Sequence, residues 1–232
     1  MSQWLPRIRQ AGFDGVELWE NHFRKVSPDD QQALISSNFC RLFNTYAPFE
    51  RSLTAQHDRE AAALAIRKLR CRGCKFNVGA DPESTPEYCQ MANDWLRSLP
   101  QECKALCECH PGTVLETPEA AAKAFAGWSN RFEAIVHPFA IPPETLARWM
   151  QLLGPKITHV HVQMRDADGV FQRLDREPQK VKEALRILAN SGFSGSFALE
   201  FTEGTRTEND TSEFLWTNAL ADLAFLKEHY PS

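Results

Sequence analysis

Short apolar runs alternate with longer amphipathic patterns from one end of this chain to the other, at a repeat of roughly 25 to 40 residues, the length of a β-strand plus its crossover helix. Seven runs read as strands: DGVELW (14 to 19), FCRLFNTYA (39 to 47), CKFNVGA (74 to 80), KALCECH (104 to 110), FEAIVHP (132 to 138), KITHVHVQ (156 to 163) and SFALEFT (196 to 202). Between them lie DREAAALAIRKLR, TPEYCQMANDWLRSL, TPEAAAKAFAGWSN, PPETLARWMQLLG and EPQKVKEALRILANSG, several opened by acidic or hydroxyl residues and closed by Gly or Asn. These are helix start and stop signals. Strictly alternating βα units fold either as an open doubly wound sheet or as a closed barrel. No Gly/Ser linker divides the sequence, which predicts one domain over 1–232.

Two features favour the barrel. No GxGxxG or P-loop follows the first strand, and a polar residue interrupts nearly every apolar run near its C-terminal end: Glu17, Asn44, Asn77, Glu108, His137, His161 and Glu200. In a TIM (β/α)8-type barrel those ends converge on the mouth where that fold keeps its chemistry. The chain opens with a helical pattern, SQWLPRIRQAG, where such a barrel opens with a strand. The expectation is a barrel lacking its first strand. An open seam leaves unpaired backbone at its edges, which predicts self-association into at least a dimer.

Composition excludes other classes. The chain has 232 residues, 43% hydrophobic, with 26 basic and 30 acidic residues for a net charge of -4. No basic stripe exists to track a phosphate backbone, so a nucleic-acid partner is not expected. There is neither an apolar leader with a small-residue cleavage site nor an apolar run of the ~20 residues a membrane span needs, so the expected location is the cytoplasm. Seven cysteines, an odd number, argue against a disulfide framework. The Cys71–Cys74 CxxC could be paired with Cys103, Cys107, Cys109 and His110 as a zinc site, but the second group lacks CxxC spacing. Small buried core residues are the better reading.

Glu108, His137, His161 and Glu200 come from four successive predicted strands and make a donor set for a divalent ion. Imidazole with carboxylate suits Zn, Mn, Co or Fe better than Ca. Two carboxylates and a metal are also what proton transfer beside a sugar carbonyl requires: base, acid, and an electrophile for the enediolate oxygen. His110, two residues beyond Glu108 on the same strand face, would bind a substrate hydroxyl. Arg165 and Arg206, in loops after strands, would receive a phosphate or carboxylate.

The motifs AGFDGVELW, CECHPGTVLETPEAA, ITHVHVQMRD and GFSGSFALEF, in this order and over essentially the whole chain, resemble the xylose isomerase-like TIM barrels. That family includes sugar phosphate isomerases and epimerases, ketose 3-epimerases, hydroxypyruvate isomerase and, more distantly, apurinic endonuclease IV. The resemblance implies a metal-dependent isomerase or epimerase of a small sugar or keto-sugar. Family metal ligands are a Glu, an Asp, a His and a second Glu. The first Glu falls on Glu108, the His on His161 and the last Glu on Glu200, and the paired Glu residues carry the proton transfer. Family members tend to read Asp-Pro-x-His where this chain has His137-Pro138-Phe139-Ala140, so the Asp position holds His137 and a substrate-facing His is replaced by Ala140. Gln163 stands where the family often has Lys. The ion stays open among Mn, Co, Zn and Mg, with Glu17 as a further substrate contact at the end of the first strand. Three other readings compete: an inosose-type dehydratase, the phosphodiester endonuclease branch, and a barrel that binds a sugar or a partner without turning it over.

Overall fold

In a computed structural model the chain is an α/β protein of the TIM-barrel type; the structure describes residues 3–230. Seven parallel strands follow sequence order in one sheet. The chain divides into two compact units, one ending at Glu133 and one starting at Ala134.

The first unit runs α1 (Trp4–Gln10), β1 (Val16–Trp19), α2 (Glu20–Lys25), α3 (Pro28–Ser37), β2 (Cys40–Asn44), α4 (Leu53–Leu69), β3 (Gly73–Phe76), α5 (Thr85–Leu96), β4 (Lys104–Glu108) and α6 (Pro118–Phe125); β5 (Phe132–Val136) begins here and crosses the boundary. Its core is aromatic. Phe76 lies within 5.0 to 6.1 Å, ring to ring, of Phe49, Trp95, Trp128 and Phe132. Large rigid rings of this kind bury much apolar surface at little rotamer cost. Arg131 fixes the connector ahead of β4, its guanidinium donating to the carbonyls of Leu96 (3.2 Å), Cys103 (2.8 Å) and Pro100.

The second unit holds the end of β5, then α7 (Pro143–Leu153), β6 (Ile157–Val162), the short hairpin of β7 (Met164–Arg165) and β8 (Phe171–Gln172), α8 (Pro178–Asn190), β9 (Ser196–Leu199) and α9 (Ser212–His229). Ile135, Leu146, Val160, Val181 and Leu188 form its buried centre. Asp222 of α9 accepts from the backbone N–H of Leu174 (2.8 Å) and the hydroxyl of Thr202 (2.5 Å), and Asn218, one turn earlier, donates to the carbonyl of Glu203 (2.8 Å). These bonds fasten the turn ahead of α8 and the loop after β9 to the last helix.

One sequence device starts two strands. GFDG precedes β1 and GFSG precedes β9. In each, the first glycine has a positive φ, +86° at Gly12 and +73° at Gly192, which lets the chain turn off the preceding helix. The second glycine passes so close to its neighbour that a Cβ would lie 2.2 Å from the Thr158 carbonyl oxygen at Gly195, and 2.9 Å from that of Phe39 at Gly15. Only a residue without Cβ fits there.

All seven predicted strands are present, each shorter than its apolar run. At the C-terminal side β2 and β4 stop at Asn44 and Glu108, and β3, β5 and β9 stop just before Asn77, His137 and Glu200, whereas β1 and β6 run past Glu17 and His161. The segments NHFRKVSPD and PFERSLTAQ, outside every strand and helix predicted from the sequence, contain helix: α2 and the start of α3 in the first, the start of α4 in the second. The predicted N-terminal helix is α1, its Ser2 lying outside the described residues, and among those residues the sheet begins at Val16. No helix among them is long and apolar enough to cross a membrane.

Candidate metal and substrate site

In the second unit, three of the expected ligands converge. His137 directly follows β5, His161 lies in β6, and Glu200 directly follows β9, where its N–H donates to the Val162 carbonyl (3.1 Å). Parallel pairing of His161 with Ala198 and of Val162 with Leu199 sets the height of Glu200 beside β6. The Oε2 atom of Glu200 lies 3.5 Å from Nδ1 of His161 and 3.7 Å from Nε2 of His137, and the two imidazoles stand 5.3 Å apart at 63°. Gln163 donates to the same Oε2 at 3.2 Å. His161 is fully buried. Donor atoms on one Zn-type ion at bond lengths near 2.0 to 2.2 Å are separated by about 3 to 3.5 Å. The two carboxylate–imidazole spacings found here are at most a few tenths of an ångström wider, and the donor atoms of the three residues lie within 4.8 Å of one another, so two imidazoles and a carboxylate suit a borderline divalent cation. Below His161 on the same strand face is His159, whose Nδ1 pairs with the Ser196 hydroxyl at 2.7 Å.

Arg165 and Arg206 meet around one ring in this unit. The guanidinium of Arg165 lies 3.8 Å from the centroid of Phe171, and that of Arg206 lies 6.0 Å from it and 5.2 Å from Phe201. Both side chains are exposed, and Arg165 also donates to the Gly169 carbonyl (2.8 Å). Two cations sharing one hydrophobic support suit an anionic group.

In the first unit, Glu108 ends β4 and is paired with Lys75 of β3: Nζ to Oε2 is 2.7 Å, with side-chain exposures of 4% and 8%. The Asn77 amide, in the orientation that satisfies both its atoms, donates to the same oxygen at 3.2 Å, and His110 Nε2 is 3.6 Å away. Glu17 accepts from the Asn44 amide at 2.8 Å. Beyond them the ends of β1 and β2 present aromatic surface: Trp19 stacks on His22 at 5.6 Å and meets Tyr46 edge-on at 5.8 Å, while Lys75 Nζ lies 5.4 Å from the Tyr46 ring. Polar groups beside partly exposed aromatic faces match the two-faced surface of a sugar, hydroxyl-rich on its edges and apolar on its C–H face.

Lys75 is the residue that sequence reasoning missed. The trace was there, since Lys75 and Asn77 are polar at alternate positions of CKFNVGA and so share a strand face. His159 is the second omission, hidden because it sits one layer deeper than the strand end. Cys107 and Cys109, considered as metal donors, are buried, and burial pushes both thiols above the usual range.

No protein-family model matches the chain, and no curated protein matches its sequence. Solved structures do match its fold. The zinc-bound IolI protein aligns over 100% of this chain and 95% of its own, with 13% identity and a TM-score of 0.69. A xylose isomerase domain protein from Alicyclobacillus acidocaldarius aligns over 98% and 91%, at 16% identity and 0.66. Endonuclease IV from Thermus thermophilus aligns over 98% and 94%, at 13% identity and 0.66. Identities this low carry the fold and no more.

Proposed function

We propose that this xylose isomerase-like TIM barrel is a cytoplasmic, metal-dependent isomerase or epimerase of a small sugar or keto-sugar. The observation that carries the reading is the convergence of His137, His161 and Glu200 on one potential ion position. Glu108 is proposed as the fourth ligand. A divalent ion bound there (Mn, Co, Zn or Mg) supplies Lewis acidity toward adjacent substrate oxygens.

The chain's own groups do the remaining work. Glu200 and Glu108 remove and return the proton at the substrate carbon, through an enediolate. Gln163 orients the Glu200 carboxylate by its hydrogen bond, and Lys75 with Asn77 orients Glu108. His110 and Glu17 bind substrate hydroxyls, Trp19 and Tyr46 cover its apolar face, and Arg165 with Arg206 receives an anionic substituent. Dehydration of an inosose-type ketone would start with the same proton abstraction. The endonuclease branch is disfavoured by the net charge of -4.

The test is exchange with solvent. The purified chain, loaded in turn with Mn, Co, Zn and Mg and given a panel of ketoses and ketose phosphates in D2O, is expected to place deuterium on the carbon next to the carbonyl, and Glu200→Gln to abolish it. A second reading, a barrel that binds a sugar without converting it, is favoured by one observation: Lys75 already neutralises Glu108. Saturable sugar binding with no deuterium incorporation under any metal would select it.

A further inference from the structure

The cysteines of the first unit read as core residues, yet two of them meet. Cys40 opens β2 and Cys71 lies two residues ahead of β3; both are 2% exposed, and their sulfurs are 3.3 Å apart. The β2–β3 register pairs Leu42 with Gly73. Two residues back along each chain the same offset sets Cys40 beside Cys71, on one face of the sheet. Cα atoms of directly opposed residues on neighbouring strands are separated by about 5 Å, inside the range of roughly 4.4 to 6.8 Å that a disulfide spans. The backbone is held in this arrangement: the Arg72 N–H donates to the Arg41 carbonyl (3.1 Å), the Cys71 N–H to that of Ile66 (3.2 Å), and Arg70 takes the left-handed conformation that turns the chain out of α4.

We propose that Cys40 and Cys71 form an oxidative modification site, a buried dithiol that closes to a disulfide under peroxide and ties β2 to β3 at the ends remote from Asn44 and Asn77. One sulfur attacks a peroxide oxygen, the O–O bond breaks, and a sulfenic acid and water result. The second sulfur then attacks the first, the S–O bond breaks, the S–S bond forms, and the oxygen leaves as a second water. Two thiols lose two electrons and two protons, and one hydrogen peroxide becomes two waters. A small oxidant is required because both residues are buried. The hydrogen bond with the neighbouring Cys40 thiol, together with burial, pushes Cys71 above the ordinary thiol range, which makes the first step slow without preventing it.

Other thiols of the same region serve as internal controls. Cys74 and Cys103 also share a side-chain hydrogen bond, and both point at the Lys104 carbonyl oxygen at 3.6 Å, but the β3–β4 register pairs Cys74 with Ala105, so their backbones are staggered where those of Cys40 and Cys71 are opposed. Cys89 is the one cysteine that is not buried.

The reduced full-length chain, treated with hydrogen peroxide, alkylated in denaturant and digested without reductant, is expected to yield a Cys40–Cys71 linked peptide lighter by two hydrogens. It should exceed any other cysteine pair at least tenfold. Its formation should raise the melting temperature by several degrees, reversed by dithiothreitol, and both Cys71→Ser and Cys40→Ala should abolish the link. A map in which Cys40 and Cys71 remain fully alkylated after Cys89 is consumed would overturn the proposal. So would one in which the dominant link joins Cys74 to Cys103 or Cys71 to Cys74. The wild-type map alone decides if either variant fails to fold.

Discussion

Replacing Lys75 by Met leaves the Glu108 carboxylate buried beside an apolar side chain. The two groups are 2.7 Å apart and 4% and 8% exposed, so neither is well solvated by water. Removing one member of such a pair costs about 3 to 5 kcal/mol, most of it the penalty of the stranded charge. Asn77 and His110 also approach the same Glu108 oxygen, at 3.2 and 3.6 Å, and offset part of that loss. The expected effect is therefore near the lower end, about 3 kcal/mol. For a chain of this size each kcal/mol moves the melting temperature by roughly 2 to 4 °C, which places the drop at roughly 6 to 12 °C. Thermal and urea unfolding of Lys75→Met, Glu108→Leu and the double variant would read it. The double should recover most of the loss, because two apolar side chains in that place need no desolvated charges. A Lys75→Met variant within ~1 kcal/mol of the parent would refute the reasoning, since it would mean that water reaches the pair and screens it.

Four further outcomes are expected. Burial pushes the Asp222 carboxyl up to about 6, so between about pH 4 and 6 the folded chain holds a proton that the unfolded chain has lost; stability should fall by about 2 to 3 kcal/mol as pH rises through that window, and urea titrations of Asp222→Asn should lack this slope. Divalent-ion affinity, read by calorimetry, should fall at least about tenfold in Glu200→Gln and in Glu108→Gln, and should weaken below about pH 6, where imidazole ligands must give up a proton to bind; affinities unchanged in both variants would exclude the proposed ligand set. Gly195→Ala should cost more than about 2 kcal/mol in urea unfolding, because its Cβ would sit 2.2 Å from the Thr158 carbonyl oxygen. Light scattering should find at least a dimer, as the seven-stranded sheet leads one to expect, and a stable monomer of 26.4 kDa would refute that.

What could be read from the sequence follows from where polar residues contradict their surroundings. Glu108, His137, His161 and Glu200 stood out because each interrupts or ends an apolar run, and three of them meet in the second unit. Lys75 escaped because a single lysine in a short strand is ordinarily solvated, and only the structure shows Glu108 beside it. Helices α2 and α3 escaped for want of an apolar stripe: ENHFRK and PDDQQALISS bury only Glu20, Phe23 and Leu34. The signal that was present, Ser27 capping Asp30 ahead of Pro28, marks a helix start without requiring a hydrophobic face. The β7–β8 hairpin, two residues a side, is too short for any period to show. The meeting of Arg165 and Arg206 at Phe171 depends on that hairpin, so their side-by-side placement was beyond sequence reasoning although both residues were named.

Arg131 has a consequence for how the first unit breathes. Its guanidinium holds three carbonyls of the stretch from Leu96 to Cys103, and the residue sits directly ahead of β5. Freeing that stretch would strand a half-buried cation and three acceptors at once. Local opening there has no cheap intermediate step, and the connector, although it is a loop, belongs to the same cooperative folding unit as the strands it joins. Amide exchange along it should be as slow as in β4, and a protease should find no early cut at an apparently irregular segment.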